Sequence, residues 1–140
     1  MITTDSPASP VSVPRTTKQR ILIVDDNRDA AKTMSMLLNL LGYETVTAFD
    51  GLIAIEAARD FRPEIILMDL GLPKLSGHDA CRKIREELWG SEIVMIALTG
   101  LGQDQDRRAS ETAGFDRHLV KPVAIETLKS VFAEFPVQLV

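Results

Sequence analysis

The chain has 140 residues, 45% hydrophobic and 26% charged, with a formal net charge of −4 at neutral pH. That is enough for one domain with its own core, needing neither disulfides nor a structural metal, and Cys81 has no second cysteine to pair with. The acidic balance argues against a nucleic-acid partner, and no apolar run approaches the roughly 20 residues that span a membrane. The N-terminus lacks the apolar stretch of a signal peptide, so a reduced, cytoplasmic protein with no membrane partner is expected.

Residues 1–19 carry Pro7, Pro10 and Pro14 among many Ser and Thr. Such a segment buries too little to offset its ordering entropy, and a disordered N-terminal tail is expected there. Residues 21–24 are all apolar and run into Asp25 and Asp26, as a short buried strand would. Asn27 can cap the helix that follows, whose inward stripe is expected at Ala30, Met34, Leu37, Leu38 and Leu41, with Gly42 ending it. Residues 43–49 alternate polar and apolar, the pattern of a half-exposed edge strand. Asp50-Gly51 then turns the chain into a helix with Ala54, Ala57, Ala58 and Phe61 inward, stopped by Arg62-Pro63.

Residues 65–69 form a second continuous apolar run, closed by Asp69 and broken by Gly71 and Pro73. After a loop at 75–77, a helix is expected to bury Ala80, Cys81, Ile84 and Leu88, with Trp89 packed at its end. Residues 93–98 are a third apolar strand, ending on Thr99 and Gly100. Residues 103–113 are polar almost all round, so a helix there would be thinly packed. A short last strand at 116–120 leads to Lys121-Pro122 and a final helix with Ile125, Leu128, Val131, Phe132 and Phe135 on one face.

Five strands alternating with five helices make a parallel α/β sheet with right-handed crossovers, and the edge character of the second strand favours the order 2-1-3-4-5. In such a sheet the C-terminal strand ends share one edge, where ligands bind. Asp25, Asp26, Asp69, Thr99 and Lys121 therefore converge. Three carboxylates together call for a cation, and hard oxygen donors with open positions suit Mg²⁺. A lysine and a hydroxyl across the site are what a transferred phosphoryl group requires, with one carboxylate as its nucleophile.

The motifs Ile-Val-Asp-Asp-Asn at 23–27, Met-Asp-Leu-Gly-Leu-Pro at 68–73, Ala-Leu-Thr-Gly at 97–100 and Val-Lys-Pro at 120–122 resemble those of the receiver domain of two-component response regulators. The resemblance covers residues 20–135 and implies the flavodoxin-like, doubly wound (βα)5 fold, with a receiver domain over 20–136 and a C-terminal tail at 137–140. It implies that Asp69 accepts a phosphoryl group from a histidine kinase or histidine phosphotransfer protein. Mg²⁺ would be held by Asp25, Asp26, Asp69 and the Gly71 carbonyl, and the phosphate by Thr99, Gly100 and Lys121. A cis Lys121–Pro122 bond is also implied, an X-Pro bond being the cheap place for that geometry. The switch position three before the lysine, commonly Tyr or Phe in the family, is His118, which would work with Thr99 to change the face made by the fourth helix, last strand and last helix. Gly71 and Leu101, two residues after Asp69 and Thr99, offer no side chain to orient an attacking water, so slow dephosphorylation is expected.

The domain would act as a switch that catalyses only its own phosphorylation and dephosphorylation, not as an enzyme on other substrates. A starting Met and a flexible tail favour a free-standing regulator, which, with no output domain after residue 140, would signal to a downstream effector protein. A relay module, a receiver excised from a hybrid histidine kinase, and a non-phosphorylated scaffold are the alternatives. Taken singly, Asp25-Asp26 could be a capping pair, Lys121 a solvated strand end, Thr99 a turn residue, His118 a structural residue and His78 a surface one. A phosphohydrolase of similar site would need a second acid where Gly71 stands, a flavin module a phosphate loop in place of Asp25 and Asp26, and a P-loop NTPase its Gly-Lys motif.

Overall fold

The computed structural model describes residues 19–100 and 107–135. Within them run β1 (Arg20–Val24), α1 (Arg28–Leu40), β2 (Glu44–Ala48), α2 (Gly51–Phe61), β3 (Ile65–Asp69), α3 (Gly77–Glu86), a short 3-10 turn (Leu88–Gly90), β4 (Val94–Thr99), α4 (Arg107–Ala113), β5 (Arg117–Val120) and α5 (Ile125–Ala133). The five strands form one parallel sheet in the order β2-β1-β3-β4-β5. The C-terminal tail expected at 137–140, all but Gln19 of the N-terminal tail expected at 1–19, and the first residues of the helix expected over 103–113 lie outside the described residues.

The apolar strands are buried on both faces because successive side chains point to opposite sides of the sheet. Leu22, Val24, Ile66, Met68, Met95 and Ala97 join Ala54 and Ala58 of α2 and Ala80, Cys81 and Ile84 of α3 in one core. Ile21, Ile23, Ile65, Leu67, Ile96 and Leu98 join Ala31 and Leu38 of α1 and Leu128, Val131 and Phe132 of α5 in the other. Cys81 is a core residue, and burial pushes its thiol pKa up to about 12 despite the nearby Arg85 charge, so it stays protonated. Helices α1, α2 and α3 start on the capping side chains of Asn27, Asp50 and Ser76, each accepting a backbone N–H of the first turn.

Two expectations about packing are corrected. α1 buries Ala31 and Leu38, whereas Ala30 is exposed and Leu37 and Leu41 are 43% and 45% exposed. Leu38 is inward as expected and Met34 packs partly against the same core, so the helix is rotated only from its Ala30–Leu37–Leu41 side. Ser35 Oγ meets Thr45 Oγ1 of β2 at 2.6 Å, and that hydroxyl donates to Asn39 Oδ1 at 2.9 Å. Held to the edge strand on that side, α1 turns Ala31 and Leu38 to the sheet. Ala30, Met34 and Leu37 then line an open groove of about 700 Å³, with Val123 opposite. The second correction is Leu88, which is 95% exposed. Its neighbour Glu87 leaves the helical conformation (φ −87°, ψ 145°), so the chain swings Leu88 outward and Trp89 packs on the core in its place.

Candidate phosphoacceptor site

Asp25 follows β1 and Asp69 ends β3, both under 10% exposed. Asp25 N–H donates to the Ala48 carbonyl (3.1 Å), and its Oδ1 accepts the Asn27 N–H (3.0 Å). Asp69 Oδ1 accepts the Gly71 N–H (3.0 Å). The second oxygens of the two acids share one cation: Lys121 Nζ lies 3.3 Å from Asp25 Oδ2 and 3.3 Å from Asp69 Oδ2. Lys121 reaches them from the end of β5, where its own N–H donates to the Thr99 carbonyl (2.7 Å) and Lys121–Pro122 is cis. Burial alone would lower the ammonium pKa, but the Asp69 and Asp25 carboxylates outweigh it and hold Lys121 above the ordinary lysine range.

Asp26 is exposed, yet completes the acidic group: one carboxylate oxygen from each of Asp25, Asp26 and Asp69 falls within 4.8 Å of the others. One lysine cannot neutralise three acids. Hard oxygen donors at that spacing, partly open to solvent, fit a divalent cation of the Mg²⁺ type. Thr99 ends β4 at 1% exposure, its Oγ1 3.3 Å from His118 Nε2 on β5. Gly100 follows it, half-buried, at the same edge. The structure thus gathers Asp25, Asp26, Asp69, Thr99 and Lys121 at one edge of the sheet. Leu101 lies outside the described residues.

Some of the surroundings were not readable beforehand. Gly77, read as a loop residue, opens α3 directly under the site: a methyl there would meet the Asp69 carbonyl oxygen at 2.6 Å and Leu70 Cα at 2.8 Å. A glycine at a helix start is a weak signal, because only the three-dimensional approach makes it necessary. His78, expected at the surface, is half-buried, its Nε2 3.3 Å from Ser110 Oγ of α4. Lys74 ties the turn after β3 to Asp50 at 3.7 Å.

A parallel five-stranded sheet ordered 2-1-3-4-5, with an acidic cluster, a lysine and a threonine at its C-terminal edge, is the architecture of a response regulator receiver domain. The chain belongs to the response regulator receiver family, whose model, the response regulator receiver domain, matches residues 21–133. It is 35% identical over 114 residues to the probable transcriptional regulator ycf27 of Guillardia theta, covering 81% of this chain and 44% of that protein. It is 41% identical over 106 residues to the probable transcriptional regulatory protein TcrX of Mycobacterium tuberculosis, covering 76% and 44%. The matches span less than half the length of these relatives. Among solved structures, the receiver domain of the sensor histidine kinase PA1611 from Pseudomonas aeruginosa superposes with a TM-score of 0.77 at 34% identity, covering 84% of this chain and 97% of that one. That structure has a magnesium ion coordinated in its active-site cleft. The chemotaxis response regulator CheY4 of Vibrio cholerae gives a TM-score of 0.78 at 27% identity, covering 84% and 98%.

Proposed function

We propose that Asp69 is the phosphoacceptor of this receiver and that its donor is a phosphohistidine of a histidine kinase or phosphotransfer protein. A carboxylate oxygen of Asp69 attacks the phosphorus, the P–N bond to the imidazole breaks, and the imidazole leaves with a proton from water. The observation that carries this reading is Lys121, whose ammonium stands 3.3 Å from both buried acids and can pass from them to a phosphoryl oxygen. The Thr99 hydroxyl supplies a donor at the same edge once it turns from His118, 3.3 Å away. Asp25, Asp26 and Asp69 would hold Mg²⁺, which neutralises the charge gathering on the transferred group. The Gly71 carbonyl is a further ligand in this proposal.

Phosphorylation adds nearly two negative charges at Asp69, and the Thr99–His118 pair links that charge to β5 and so to the face made by α4, β5 and α5. An effector protein that reads this face is the proposed output. With glycine at 71, no side chain there positions a water, so the acyl phosphate should persist for many minutes. The test is incubation with acetyl phosphate and Mg²⁺ followed by intact mass. One added phosphoryl group, lost without Mg²⁺ and in Asp69→Ala, is expected. An equal gain in Asp69→Ala would move the acceptor elsewhere, and decay within seconds would refute the slow hydrolysis.

A further inference from the structure

The first turn of α3 is seated on the phosphoacceptor's own backbone. Gly77 has no room for a methyl above the Asp69 carbonyl, and its N–H donates to the Leu70 carbonyl at 3.2 Å. The next residue reaches the opposite way. His78 Nε2 lies 3.3 Å from Ser110 Oγ on α4, and its ring stands edge-on to Phe115 with centroids 6.2 Å apart. Ser110 is 1% exposed, and among the described side chains of α4 only Ser110 and Ala113 are buried. A helix with so thin a seam is held by few contacts, and here one of them is a buried hydroxyl. An alanine would fill that place with nothing to satisfy; a buried serine makes the hold on α4 conditional on its hydrogen bond.

We propose that the His78–Ser110 hydrogen bond is a latch that keeps α4 in its unphosphorylated position and opens when Asp69 is phosphorylated. His78 is then a positioning residue, acting on α4 through Ser110 and bypassing Thr99 and His118. The inference rests on Asp69 being the phosphoacceptor. A new phosphoryl group changes what the turn after β3 is bonded to, since Asp69 Oδ1 holds the Gly71 N–H and Oδ2 holds Lys121. The seat of Gly77 passes any displacement of that turn to His78. At 3.3 Å the latch is near the long end of a nitrogen–oxygen hydrogen bond, so a shift of a few tenths of an ångström releases it. By linkage, whatever weakens the latch also favours the phosphorylated state.

Ser110→Ala is the clean variant, because half-buried His78 can bond water in its place and no fully buried group is stranded. Amide hydrogen exchange of α4 is measured on the full chain with and without phosphorylation, each state verified by intact mass. Exchange in the unphosphorylated variant should be about fivefold faster than in wild type, the effect of losing one ordinary hydrogen bond, and unchanged in the phosphorylated state. Beryllofluoride with Mg²⁺, a phosphoryl mimic, should bind about fivefold tighter to the variant by the same coupling. His78→Gln, which still offers a partner to the hydroxyl, should stay near wild type in both readouts, while His78→Ala, which strands the buried Ser110 hydroxyl, should accelerate exchange at least as much as Ser110→Ala. Equal acceleration in both states would reduce the contact to a structural one and overturn the latch, as would no acceleration in either. Wild-type protein that gains no phosphoryl mass overturns the phosphoacceptor reading itself, and with it the trigger.

Discussion

Lys121 decides the electrostatics of the site, because among the described residues it is the one ammonium shared by two buried acids. Replacing it with methionine removes the cation and keeps much of the stem's packing, leaving Asp25 and Asp69 facing each other at under 10% exposure. Breaking a buried pair in this way destabilises strongly, but the Lys121 side chain is 32% exposed, and solvent there screens part of the loss. A loss on the order of 2 kcal/mol in metal-free buffer is the expected result of Lys121→Met, read from denaturant midpoints. The pH dependence follows from the direction of the lysine shift. Its folded pKa lies above the unfolded one, so its contribution is complete below the ordinary lysine range and fades as pH rises through the higher, folded value. The gap between wild type and Lys121→Met should therefore hold constant through neutrality and close only in strong alkali. A gap that already closes near pH 8 would show that the pair is not what stabilises the site.

At the scale of the element, α1 makes the sharpest test of the packing. Of the stripe expected from its sequence, Ala30, Met34, Leu37, Leu38 and Leu41, the structure buries Leu38 together with Ala31, packs Met34 partly against the same core and leaves Ala30, Leu37 and Leu41 exposed. Leu38→Ala should cost about 3 kcal/mol as a cavity in a closed core, whereas Leu37→Ala or Leu41→Ala should cost under about 1 kcal/mol. Urea midpoints at unchanged slope would check this, and equal losses at 37 and 38 would return the helix to the orientation its apolar count favours. The same helix shows what was legible in the sequence. Elements, strand order and the convergence of Asp25, Asp26, Asp69, Thr99 and Lys121 follow from apolar runs and turn residues, which act locally. The rotation of α1 depends on Ser35 and Asn39 meeting Thr45 of β2, a tertiary match that periodicity does not encode. The outward Leu88 and the approach of Gly77 to Asp69 are likewise facts of the assembled chain. His78 carries no mark in the sequence that Ser110, thirty-two residues on, will stand beside it.

Across the whole molecule, the sheet holds three carboxylates together at an edge where, among the described residues, one lysine answers them, and the two cores behind it supply the rigidity that keeps them there. The unfolded chain is free of this crowding, so the metal-free fold bears a cost that a bound divalent cation removes. Any ligand that binds only the folded state stabilises it in proportion to the logarithm of its excess over the dissociation constant, about 1.4 kcal/mol at tenfold excess. Magnesium titrated into the protein should therefore raise the unfolding temperature by several degrees, a rise that grows with concentration and does not plateau sharply. Sodium chloride at matched ionic strength should not reproduce it, because screening acts weakly on acids as buried as Asp25 and Asp69. Asp26→Asn separates the two effects. It leaves the buried pair and Lys121 in place, removes an exposed charge from the cluster, and should leave the metal-free protein at least as stable as wild type while blunting the magnesium response. If magnesium shifts wild type and Asp26→Asn equally, Asp26 is not a ligand. If it shifts neither, the three acids do not form a cation site in the folded protein, and the charge that would assemble around a phosphoryl group on Asp69 would have to be met by Lys121 alone.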